Sequence, residues 1–434
     1  VSNSGGAQMP AGLPVAFYLG NPQAGGTLIG TAVTTRALNL GESEDVTVTW
    51  DWDTPGDHTI TIVVNDDGSG SGPVALCGAP PTVQQTVSIL DVPLVESWNL
   101  ISSYVNPFNT DVKVVQRPIS EQFVVIQGFD EEGAKSYWPD LPPPVNTLTD
   151  VDGEHGYWIK AVSSDQLSVN SEQLPVLSPV EGSVHSGQSA DRAAEQAVAT
   201  LRVVGTKSGE DRPLNLAAGW NLVSYLSRRP LPVTEALQSI DGLYTAVLGF
   251  DQGALSYYPH LGPEFNTLTT LKSLYGYWIK MDQPATLQYP VTGGGLTTVE
   301  EHAAVGRRPS AVASEASRAA GVTPTQTWVN LYGPAHLPDG TLLPVGTIVQ
   351  ALDPTGVVCG AAVAMYEGRY GLLACYGDDP TTPEDEGARP GDPIRLMVDG
   401  QELGTAVWTA HGDRHWAPLG PTPLWQVWLP VISR

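Results

Sequence analysis

Trp98-Asn99-Leu100-Ile101-Ser102 opens a stretch that this chain writes twice, returning as Trp220-Asn221-Leu222-Val223-Ser224. GFDEEGAKSYWPDLPPPVNTLT, from Gly128, returns as GFDQGALSYYPHLGPEFNTLT from Gly249. Gly156-Tyr157-Trp158-Ile159-Lys160 closes the first copy and Gly276-Tyr277-Trp278-Ile279-Lys280 the second. The offset drifts from 122 to 120, so small deletions separate the anchors. Self-similarity of this kind marks a repeated structural unit. Within each copy WNL(I/V)S, FVVIQGF and the run ending in YWIK are short apolar segments closed by Pro, Asn, Asp or Gly. They predict strands, with the only helical turn at Thr234–Ile240, N-capped by Thr234.

The rest of the chain agrees with that reading. Gly (46) and Pro (37) together make 83 of 434 residues, too many for long helices. The net charge is −25, with 21 basic against 46 acidic side chains, which repels phosphate backbones and excludes nucleic acid as a partner. No apolar run is long enough for a membrane span. The chain begins at Val1 with no signal-like segment, the expectation for a processed chain or a fragment.

Two modules flank the repeats. LPVAFYLG, TLIGTAVTT, VTVTWDW, HTITIVVN and QQTVSIL, within residues 13–90, read as five antiparallel strands. VAFYLGNPQAGGTLIGTAVTT followed by VTVTWDWDTPGDHTITIVVNDDG resembles the cell-adhesion-related domain of bacteria (CARDB), which implies an immunoglobulin-like sandwich over about residues 10–92. The chain departs from that pattern at Gly78-Ala79-Pro80-Pro81. The repeat copies look like a module of long secreted proteins of filamentous and thermophilic bacteria and of archaea. From Trp328 to about Leu419, GTLLPVGTIVQALDPTGVVCG, EGRYGLLACYGDD and GARPGDPIRLMVDG resemble transthyretin-like, carboxypeptidase-regulatory-like β-sandwiches.

The predicted class is therefore all-β: tandem β-sandwich and Ig-like modules, with short helices only in linkers and repeat loops. Residues 1–92 form the N-terminal sandwich, 93–169 the first copy and 199–292 the second, with a linker at 170–198. A second linker, 293–326, leads to a sandwich at 327–419 and an apolar tail at 420–434. SADRAAEQAVATL, at the end of the first linker, reads as a short Ala-rich helix.

Chemistry-bearing residues are sparse. Phosphate loops, nucleophile elbows and zinc helices are absent from the sequence, so no catalytic residue is assigned and the chain reads as non-enzymatic. His411 and His415 have a helical metal spacing, but Gly412 and the neighbouring turn signals place them in a surface loop. Asp378, Asp379, Glu384, Asp385 and Asp392 cluster as candidate ligands of a structural Ca²⁺, without the Glu spacing of an EF-hand; no cofactor is required. A second acidic turn is Asn65-Asp66-Asp67-Gly68-Ser69. Cys359 and Cys375 flank a Glu367-Gly368 turn, which predicts a hairpin with its sulfurs on facing strands. They read either as a disulfide, implying an oxidising compartment, or as two buried thiols. Cys77 is left over.

The repeated aromatic pairs, Tyr137/Trp138, Tyr157/Trp158, Tyr257/Tyr258 and Tyr277/Trp278, read first as core, with Trp138 and Tyr258 as candidate glycan platforms. Leu424, Trp425, Val427, Trp428 and Leu429 of the tail, and the arm Val1–Pro10, are candidate strands for donation to another copy. Together these features predict a secreted, cell-surface structural or adhesive protein that self-associates into a layer or filament. The alternative is a carbohydrate- or substrate-binding accessory region of a larger secreted hydrolase.

Overall fold

Alternation of apolar and polar residues, interrupted by Gly and Pro, yields a protein whose regular structure is almost wholly strand. The computed structural model describes residues 1–51, 54–70, 72, 74, 81–141, 146–163, 197–262, 265–291 and 319–421. The N-terminal strands are β1 (Pro14–Leu19), β2 (Thr27–Val33), β3 (Gly56–Val64) and β4 (Thr82–Val95). The first copy holds β5 (Ser97–Ser102), β6 (Val105–Pro107), β7 (Phe123–Asp130), β8 (Gly133–Tyr137) and β9 (Gly156–Ala161). After β10 (Ala197–Lys207) come β11 (Leu214–Leu216), β12 (Gly219–Ser224), β13 (Leu231–Pro232) and β14 (Tyr244–Phe250). The second copy continues through β15 (Ala254–Tyr257), β16 (Thr270–Leu271), β17 (Gly276–Met281) and β18 (Ala285–Leu287). The C-terminal sandwich holds β19 (Trp328–Tyr332), β20 (Ile348–Leu352), β21 (Val358–Val363) and β22 (Leu373–Tyr376). It ends with β23 (Pro393–Val398), β24 (Gln401–Val407) and β25 (Arg414–Trp416). Helices are brief, such as α1 (Val112–Val115) and α2 (Val233–Ala236).

These elements form two compact units. Val1–Val92, Val105–Pro118 and Thr200–Ser208 make the first; Pro93–Tyr104, Ile119–Ala199 and Gly209–Arg434 make the second. The first contains a six-stranded sheet in the order β2-β1-β3-β4-β10-β6. β10 corrects the end of the expected Ala-rich helix, 197–201, the rest of which lies outside the described residues: Ala199, Leu201 and Val203 are buried on alternate positions, a period of two that overrides the helix propensity of alanine. Arg202 forks onto Asp91 with two 2.7 Å hydrogen bonds, tying β10 to β4. Val46–Asp51, expected as a strand, forms no ladder, although Val46, Val48 and Trp50 are partly covered and Thr47 and Thr49 exposed. Alternation there reports a covered face and not backbone pairing. The N-terminal arm is held within the chain: Asn3 donates to Ala7 O and Leu38 O, and Met9 pairs with Leu38. Asp66 of the acidic turn accepts from Tyr18 Oη, Gly68 N and Gly70 N. Cys77 lies outside the described residues.

In the second unit the two copies adopt one topology, β5-β9-β7-β8 and β12-β17-β14-β15. Their registers match: Trp98 lies opposite Lys160 and Trp220 opposite Lys280. The quoted anchors explain the match. Asn99 Nδ2 donates to Val95 O and Ser97 O, and Asn221 Nδ2 to Ala217 O and Gly219 O, closing the loop before each first strand. Asn146 brackets Trp138 through its backbone N and O, as Asn266 brackets Tyr258. A Cβ on Gly128 or Gly249 would press on the rings of Tyr157 or Tyr277, so the glycine of each GFD leaves room for the tyrosine of each GYWIK. The expected helical turn is present as α2 followed by a 3-10 turn at Gln238–Ile240, but α2 starts at Val233 after Pro232 and no side chain caps it, since Thr234 already lies inside.

The copies cross at Gly156 and Gly276, where a Cβ on either would lie 3.2 or 3.1 Å from the other's Cα. Ser102 N donates to Leu274 O and Ser224 N to Glu154 O; Ile101 bridges Tyr275 as Val223 bridges His155. Each contact has its counterpart with the copies exchanged, which is the reciprocity of a two-fold interface. The C-terminal sandwich packs a three-stranded sheet (β22-β19-β25) with a four-stranded one (β21-β20-β23-β24). Cys359 on β21 and Cys375 on β22 are bonded, with Cα atoms 4.7 Å apart. They join the two sheets rather than a hairpin, because β21 pairs with β20 and β22 with β19.

Candidate functional site

The repeated Trp and Lys stand opposite each other across one strand pair in each copy, and the C-terminal sandwich is seated on both. In copy one, Lys160 Nζ and Trp98 Nε1 each donate to Asp379 Oδ2 at 2.8 Å. Thr381 supplies its backbone N (2.9 Å) and hydroxyl (2.7 Å) to Asp379 Oδ1. The Lys160 and Asp379 side chains are only 11% and 4% exposed. Burial pushes the Asp379 carboxyl pKa up, but the hydrogen bonds from Lys160, Thr381 and Trp98 outweigh it and leave the group below its ordinary value.

Copy two meets different chemistry. Lys280 lies 5.2 Å above the Trp220 ring and 3.9 Å from Asp413, with 40% of its side chain exposed. Between the rings of Trp220, Trp278 and Trp328, at centroid distances of 6.2, 5.8 and 4.7 Å, sits His411. Trp328 N donates to His411 Nδ1 at 3.2 Å, and Nε2 is buried without a partner. Burial lowers the His411 pKa to about 4. His411 thus lies in a partly exposed turn, as expected, but turns its ring into an interface; a lone His beside Gly412 carries no sequence signal for that. The Trp–Lys pairs did carry one, since both recur at matched positions.

Around these contacts Asn330 Nδ2 donates to Ser256 Oγ and to Tyr258 Oη, Tyr258 Oη donates to Gly412 O, and Ala254 N donates to Tyr376 Oη. Trp98, Leu100, Trp158, Leu222, Phe250 and Trp328 belong to one continuous apolar cluster. Tyr258 is 2% exposed and lies under the Arg414 guanidinium, so its ring face is closed to a sugar. Trp138 is partly buried against the same cluster.

The five acidic candidates diverge. Asp379 is taken by Lys160, and Asp378 pairs with Arg389 at 2.9 Å. Asp385 accepts from Thr355 Oγ1, Asp392 accepts from Arg389 N, and Glu384 is exposed. Among the described residues no three His, Cys, Asp or Glu side chains are grouped as a metal ion would need. Leu424, Trp425, Val427, Trp428 and Leu429 lie outside the described residues.

The protein so defined is an all-β chain whose repeated aromatic faces hold a C-terminal sandwich. No known family matches it, and no curated protein does. A solved structure, "The Bacillus anthracis TIE protein", aligns over 95% of this chain and 69% of its own at 8% identity, with a TM-score of 0.15. At that score the likeness carries no argument. Among the described residues no helix is long and apolar enough to cross a membrane.

Proposed function

We propose that this chain is a non-enzymatic extracellular structural or adhesive protein, a load-transmitting subunit of a cell-surface layer or filament. The observation that carries the reading is where the repeated Trp and Lys residues are used: both pairs contact the C-terminal sandwich, so the most recurrent side chains serve internal cohesion. A rigid, disulfide-bonded β-architecture with a strongly acidic composition suits the outside of a cell. Self-association would use sheet edges, whose unpaired backbone groups accept an added strand. β2 and β24 end their sheets, with Val33 and Val407 exposed at their ends, although Leu403 O of β24 is already used by Gly420 N. The apolar tail at 422–434 is the donor this reading favours. Negative-stain microscopy of the purified full chain tests it: fibres or sheets are expected, lost on deletion of residues 422–434. Monomers at every concentration, salt and Ca²⁺ level would refute assembly.

A further inference from the structure

The neutral His411 ring has a defined proton. Because Nδ1 accepts the Trp328 backbone N–H, the hydrogen sits on Nε2, where it has no acceptor other than the surrounding indole faces. A second proton can bind only at Nδ1. It would face the Trp328 N–H donor head-on and break that hydrogen bond. Water reaches neither Nε2 nor Trp328, which is fully buried.

The loop carrying His411 has little freedom to shift in place. Gly412 N donates to Trp328 O at 2.8 Å, and Asp413 O accepts from Asn330 N at 2.8 Å. A Cβ on Gly412 would lie 2.4 Å from the Trp220 indole, so the backbone here is pressed against copy two. The charged groups around the ring do not supply a dedicated counter-ion. On its own loop Asp413 favours the imidazolium, but its carboxylate is shared with Thr409 Oγ1 and approached by Lys280. β17 brings the Lys280 cation; β25 brings Arg414, stacked over Tyr258, and His415, bonded to Thr409. β12 contributes Trp220, and β14 contributes Leu248, which lies against Gly412. Indole faces attract a cation, yet here they also strip its water.

We propose that His411 is an acid-sensitive latch: protonation drives the Thr409–Asp413 loop off the indoles of copy two, while Asp379 keeps the C-terminal sandwich on copy one. The sign follows from linkage. A histidine that ionises near 6.5 when free and at about 4 when docked binds protons more readily undocked. Docking at copy two is then unimpaired at pH 7, weakens as pH falls below 6.5, and reaches its full loss, roughly 300-fold, below about 4.

The test uses the full chain in hydrogen exchange between pH 7.5 and 4.5, corrected for the intrinsic pH dependence of exchange. Protection of β12, β17 and residues 409–413 is expected to fall with pH while β5 and β9 stay protected. In His411→Gln, which cannot ionise, copy two is expected to hold its protection throughout. Loss at the same pH in that variant, or simultaneous loss from both copies, would overturn the latch. Should the variant fold poorly, NMR titration of the His411 imidazole in the native chain decides: a value near 4 supports the proposal, and one at or above 6.5 overturns it.

Discussion

Copy one and copy two offer the C-terminal sandwich nearly the same face, a Trp opposite a Lys beside a second Trp, and they are held by unlike means. At copy one a carboxylate accepts four hydrogen bonds from Lys160, Trp98 and Thr381. At copy two a neutral imidazole fills a space between indoles, and the lysine stays half in water. The difference teaches that a two-fold pair of receptors cannot be matched by a single asymmetric partner. The partner must meet each half with different residues, so the same Trp–Lys pair acquires different energetics in the two copies.

The sharpest way to break the comparison is Asp379→Ala. It leaves Lys160 buried without its counter-charge, and a loss of about 3–5 kcal/mol is expected in denaturant unfolding. Replacing both Cys359 and Cys375 by Ala should cost about 3 kcal/mol, from the entropy of a chain closed over a separation of 16 residues. Gly276→Ala should cost about 1–3 kcal/mol, because its Cβ would meet Ile101 O at 2.7 Å. Gly156→Ala, whose nearest neighbour is the Leu222 side chain at 3.0 Å, should cost less; equal losses would mean the crossing is more symmetric than it is here. Lys280→Ala, by contrast with Asp379→Ala, should change stability by under about 1 kcal/mol, since that lysine is exposed and 3.9 Å from its partner. The pH dependence separates the sites as well. The Asp379 carboxyl is depressed below 3.8, so its contribution is fully present above that value and lost only as pH falls through the lower one. Protection of β5 measured between pH 7 and 5 should therefore be flat.

Much of the repeat was legible because its instructions are local. The strands of WNL(I/V)S and GYWIK follow from alternation, and the pairing of Cys359 with Cys375 was within reach of their spacing. Reading that pair as a hairpin failed, since a turn at Glu367-Gly368 also lets the two strands join different sheets. At 197–201 the Ala-rich pattern gives way for another reason: propensity is weak, and a place in a sheet beside β4 outweighs it. Tyr258 and Trp138 were grouped as platforms because they occupy equivalent repeat positions. One is sealed and the other partly open only because the sandwich covers the copies unequally.

The sequence by itself determined the all-β class and the two copies, because side-chain alternation and turn residues act within a few positions. Which aromatics are covered, where the carboxylates point and what His411 touches were decided only by the tertiary structure. Trp98 and Asp379 are 281 residues apart, and no local pattern encodes a contact at that distance. It arises when two folded surfaces bury apolar area together, and the polar groups inside must then find whichever partners that packing brings near.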